Sequence, residues 1–126
     1  MVRAYSVRTA ALALGVSAKW IDNVLFQHDI PGVVSSRQGV ERGISDLGIR
    51  TLEIVRVCSQ ELGIPVSRAV EIAVATTNAP AARFVTPSGV ELHVPVDAIE
   101  QRLRERLVDA IEATPRVPRG RPRRRV

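Results

Sequence analysis

Residues 10–17 read Ala10-Ala11-Leu12-Ala13-Leu14-Gly15-Val16-Ser17, and their reading decides the fold. Small apolar residues lead to Leu14, so residues 8–14 are expected to form a short helix with Ala10, Ala11 and Leu14 on one face. Gly15 ends it, because glycine enters the left-handed backbone region without strain. Ser17 is a good N-cap for a second helix running to about Gln27, whose inward face is Ile21, Val24 and Leu25. Ala10 and Ala11 let the two helices cross closely, while Val16, Ile21 and Val24 fill the space between them. Two helices joined by a tight glycine-containing turn make a helix-turn-helix.

Downstream, residues 30–44 can form a β-hairpin with Ser35-Ser36-Arg37-Gln38-Gly39 at its tip. Val40, Arg42 and Ile44 alternate on its return strand. Ser45 is placed to cap a third helix with apolar positions Leu47, Leu52, Val55, Cys58 and Leu62, which Gly63 stops. Ile64-Pro65-Val66 then leads into a fourth helix through Ala69, Val70 and Ala73.

With the opening Tyr5-Ser6-Val7, residues 4–75 resemble the MerR-like winged helix-turn-helix group, which also includes phage excisionases. The resemblance implies a mainly α domain over residues 1–78 that reads duplex DNA with its second helix and braces it with a hairpin wing. The chain departs from that pattern in two places. The return strand carries Val40-Glu41-Arg42-Gly43-Ile44 where the family shows an aromatic and paired arginines, and the second helix carries Asp22 and Asn23 where basic or aromatic residues are usual. Asp22 can accept from a cytosine amino group, or pair with a neighbour, or face solvent. Trp20 can line the groove or pack at the edge of the core. Lys19 suits guanine acceptors or phosphate, and Asn23 can bond adenine twice. Ser17 joins them as a candidate at the helix start, with Arg37 and Arg42 as backbone or minor-groove contacts on the wing.

Residues 79–114 read as a second unit, a β-hairpin and an amphipathic helix. Residues 83–86 and 90–94 flank the turn Thr86-Pro87-Ser88-Gly89, with Val90, Leu92 and Val94 on one face and Glu91 and His93 on the other. Asp97 and Glu100 have capping-box spacing and open a helix to about Ala113. Its stripe is Val96, Ile99, Leu103, Leu107, Ala110 and Ile111; Arg102, Arg104, Glu105, Arg106 and Asp109 occupy the opposite face. Leaving the stripe in water would forfeit roughly 1.5–3 kcal/mol per large side chain. It must cover the hairpin and body or meet its copy in a second chain. A homodimer is the expected state, since two copies reading half-sites about 34 Å apart gain avidity. A protein partner through residues 80–114 is the alternative.

Charge is the second decisive feature. The chain holds 18 basic and 13 acidic residues, yet Arg116, Arg119, Arg121, Arg123, Arg124 and Arg125 all fall in the last 12 positions. Residues 1–114 are therefore close to neutral, and residues 115–126 carry the positive field. A single-sign run of this kind is expected to be a disordered interaction arm, most often for nucleic acid. Arg119-Gly120-Arg121-Pro122 matches the core of an AT-hook, and Arg123, Arg124 and Arg125 extend it. Glycine lets the backbone approach the minor-groove floor, proline keeps the chain extended, and arginines insert where the groove is narrow. Sequence-blind phosphate binding is the simpler reading of the same residues.

Nothing points to catalysis, a cofactor or a metal. His28 and His93 fall in unrelated elements, Cys58 is alone and inward, and there is no phosphate-cradling glycine loop or paired-ligand spacing. With no apolar run of membrane-spanning length and no signal-peptide block, the expected compartment is the cytoplasm, at the nucleoid. The expected function is sequence-directed DNA binding in transcription regulation. The alternatives are a nucleoid-associated silencer, an antitoxin-type autorepressor and an excisionase-like factor.

Overall fold

The computed structural model describes residues 4–34, 43–76 and 82–113 of the chain. It is mainly helical with two small antiparallel sheets. In chain order the elements are β1 (Ala4–Tyr5), α1 (Val7–Leu14), α2 (Ala18–Gln27), β2 (Val33–Val34), β3 (Gly43–Ser45), α3 (Asp46–Arg56), α4 (Val66–Ala75), β4 (Ala82–Val85), β5 (Glu91–Val94) and α5 (Val96–Ala113). A π-helical turn, Val57–Glu61, prolongs α3.

Local chemistry explains the first two helices. Ser6 caps α1, its Oγ accepting from the Thr9 N–H at 3.1 Å. Gly15 closes α1 at φ 71°, and its N–H donates to the Ala11 carbonyl at 2.9 Å. Ser17 restarts the chain as α2, with its Oγ accepting from the Trp20 N–H at 3.0 Å. Ala10, Leu14, Ile21 and Val24 are buried where the helices meet, while Trp20 and Leu25 pack at the edge of the core.

The strands of the first sheet, β1, β2 and β3, are too short to show periodicity. β3 lies centrally in the order β1-β3-β2, with Tyr5 and Val33 both opposite Ile44. The third strand, β1, was not expected from the sequence, and residues 35–42 between β2 and β3 lie outside the described set. Two glycines lock this sheet to α3. Gly32 has φ +88°, and a Cβ there would collide with the Gly48 backbone N and, at 2.6 Å, with Ser45 Oγ. Gly48 is equally confined, since its Cβ would lie 2.9 Å from both the Gly32 carbonyl oxygen and Ile44 Cγ2. The Ser45 N–H also donates to that carbonyl, at 2.8 Å. Gly48→Ala is therefore expected to destabilise the fold by about 2 kcal/mol in urea titration, overpacking outweighing the helix-propensity gain of about 1 kcal/mol. A neutral or stabilising alanine would show that this junction yields easily.

The third helix departs from the sequence expectation at its end. One continuous α-helix would put Leu62 on the face of Val55 and Cys58. Instead the wider π-helical turn shifts the phase, leaving Cys58 buried and Leu62 54% exposed. Burial pushes the Cys58 thiol pKa up, which disfavours the reactive thiolate. α4 then packs on α3 through Ala69, Val70, Ile72 and Ala73.

The last segment belongs to the same core. α5 lies along α1 and touches α3, and its Val96, Leu103, Leu107 and Ala110 join Ala10, Leu14 and Leu52 in one buried cluster. Most of the apolar stripe thus finds its cover inside the chain, which weakens it as an argument for a dimer; Ile111, expected on the stripe, is instead exposed near the end of the helix. Three further details differ from the sequence expectation. The helix opens at Val96, so Asp97 sits within its first turn; Val90 is exposed outside β5; and Arg106 leaves the solvent face to bind Glu53. Among the described residues no helix is long and apolar enough to cross a membrane.

Candidate nucleic-acid interface

α2 has two sides of opposite character. Ile21 and Val24 face inward at 0% and 4% exposure, and Ser17, Ala18, Lys19, Asp22, Asn23, Phe26 and Gln27 are exposed. At about 100° of rotation per residue, Lys19, Asn23 and Phe26 lie within about 60° of one another, opposite the Ile21–Val24 side. The helix is thus anchored along one face and presents a cation, an amide and an aromatic ring on the other, with the Asp22 carboxylate at the border of that face. Such a helix can enter a groove about 12 Å wide without disturbing the core that supports it.

The sequence candidates divide accordingly. Lys19 and Asn23 share the exposed face. Ser17 is exposed at the start of α2, but its Oγ is engaged in capping, so its first role is to start the helix. Trp20 is half-buried against the core. Arg37 and Arg42, and the tail residues Arg119, Gly120, Arg121, Pro122, Arg123, Arg124 and Arg125, lie outside the described residues. Phe26, which the sequence reading did not place on the exposed face of α2, lies there too, its spacing of seven from Lys19 putting both on one side of the helix.

The described residues contain nine basic and twelve acidic side chains, so half of the chain's 18 cations lie in the segments 1–3, 35–42 and 114–126. Several of the nine are also occupied. Arg56 makes a two-point bond to Glu53 at 2.9 and 3.0 Å, Arg106 reaches the same carboxylate at 2.6 Å, and Arg50 lies 3.6 Å from Glu100. The described residues therefore offer shape and a few polar contacts rather than a broad positive field.

A solvent-open recess of about 370 Å³ lies between the π-helical turn and the start of α5, lined by Glu53, Arg56, Glu61, Arg102 and Arg106 among others. Its charged side chains largely neutralise one another. No group of three or more His, Cys, Asp or Glu among the described residues is arranged to hold a metal ion. No family model, characterised protein or solved structure matches the chain.

Proposed function

We propose that this chain is a sequence-directed DNA-binding protein that acts in transcription regulation. In this reading α1, the Gly15 turn and α2 form a winged helix-turn-helix of MerR-like type, with the β2–β3 hairpin as the wing. α2 enters the major groove, Lys19 and Asn23 meet base edges, and residues 115–126 bind phosphate or the AT-rich minor groove.

One observation carries the proposal: α2 is capped and anchored by Ile21 and Val24, yet keeps Lys19 and Asn23 together on its outer face. The arginine distribution supports it from a second side. A body whose described residues are net acidic gains little from phosphate alone, so the run at 115–126 supplies the attraction and α2 the selection.

The test selects duplexes from a random-sequence pool with the full chain, then measures binding of point variants by fluorescence anisotropy. Asn23→Ala is expected to weaken the selected site by about fivefold to a hundredfold, the worth of one bidentate base contact, and to relax the preference for adenine at one position. Lys19→Ala is expected to weaken binding as well. If both variants select and bind as the parent does, α2 is not the reading element. Footprinting separates a regulator from a coating protein, through one short protected site rather than spreading protection.

A further inference from the structure

Phe26 is 81% exposed, more than any other large hydrophobic side chain among the described residues. It belongs to the outer stripe of α2, about three residues past Asn23 and seven past Lys19 along the helix. No other large apolar side chain on α2 is exposed, for Trp20 and Leu25 pack against the core. Along α2, Phe26 is thus the one exposed ring among polar side chains.

A groove of DNA offers a ring in that position one matching group. The largest apolar group on the major-groove edge of any base pair is the 5-methyl of thymine, which phenylalanine can cover. We propose that Phe26 contacts a thymine methyl and so sets sequence preference at one base pair, an inference that rests on the DNA-reading role of α2 given above. The geometry specifies where. At 1.5 Å rise per residue, Phe26 is about 4.5 Å from Asn23 and about 10.5 Å from Lys19 along the axis. With α2 lying along the groove and base pairs every 3.4 Å, the thymine falls about one pair from the adenine read by Asn23 and about three from the base under Lys19.

Deoxyuridine differs from thymidine only by the missing methyl, so it tests the contact without altering hydrogen bonds. Duplexes chosen by the full chain from a random pool are resynthesised with each thymine in turn replaced by uracil. One replacement is expected to weaken the parent chain about fourfold, the worth of one methyl group removed from contact. Phe26→Ala is expected to bind the thymine duplex more weakly by at least that factor and to be indifferent to uracil at the same position. Because Phe26 is exposed, the variant should keep the parent's circular dichroism and thermal midpoint, which excludes misfolding as the cause.

Equal binding to thymine and uracil at every position, with Asn23→Ala still weakened, overturns the Phe26 contact and leaves the DNA-reading role intact. A uniform loss for Phe26→Ala at all duplexes, accompanied by loss of self-association in sedimentation, assigns the ring to an interface between copies and also overturns it. Failure of the full chain to enrich any duplex sinks the function and this inference together.

Discussion

Removing residues 115–126 is expected to flatten the salt dependence of DNA binding by about five units of log–log slope. Each arginine that neutralises a phosphate releases condensed counterions and contributes about −0.9 to the slope, so the six arginines of the segment account for about −5. From 50 to 200 mM salt the full chain should therefore lose about a thousandfold in affinity through this segment alone, and the shortened chain should be spared that loss. The measurement is a titration series by fluorescence anisotropy on one duplex at several salt concentrations. On the proposal that α2 reads the base edges and the arginines meet phosphate, site preference should survive. Genome-wide binding checks this second half: the chain ending at Thr114 should occupy the same sites at lower levels. An unchanged slope would show that the arginines do not meet phosphate. Random sites after truncation would place the selectivity in the tail instead.

The second large effect concerns the fold. Glu53→Ala is expected to cost about 3 kcal/mol of stability, the low end of the range for breaking a buried ion pair. The Glu53 side chain is 6% exposed and holds Arg56 at 2.9 and 3.0 Å and Arg106 at 2.6 Å. Without the carboxylate, two guanidinium groups face each other, and Glu61, at 3.3 Å from Arg56, is the remaining anion of the cluster. The low end applies because Arg106, 37% exposed, can swing towards water, whereas Arg56 at 14% is more confined. Arg106→Ala should cost less, about 1 kcal/mol, since Glu53 keeps its two-point bond to Arg56. Equilibrium urea unfolding of both variants decides the matter. If they cost the same, or Glu53→Ala costs under about 1 kcal/mol, the cluster does not bind α5 to α3 in the way its geometry implies.

The same cluster carries a pH consequence of definite sign. Hydrogen bonding to Glu53 is the main cause of a raised Arg56 pKa, opposed by partial burial. A raised pKa means that its stabilisation is complete below the unfolded value and disappears only as pH climbs beyond it. For an arginine that lies in strong alkali, so the Arg56 guanidinium brings no pH dependence near neutrality.

What the amino-acid order determined by itself is the local part of this molecule. Ser17 bonds a backbone group three residues on, Gly15 takes a left-handed φ, and Ile21 and Val24 repeat at helical spacing; none of these needs a distant residue. The outer face of α2, with Lys19 and Asn23, was legible for the same reason. Phe26 could have been found by the same periodicity, but an exposed phenylalanine runs against the habit of assigning aromatic rings to the core.

Tertiary structure alone decided the rest. Strands of two or three residues hold no period, so only their pairing shows that β1 joins β3. The approach of Gly32 to Gly48 and the reach of Arg106 to Glu53, 53 positions away, likewise depend on which elements meet in space. The stripe on α5 shows the division most plainly. Its spacing demanded a cover, and either α1 or another chain would have satisfied the hydrophobic effect, which is non-directional and depends on the area removed from water rather than on whose atoms remove it.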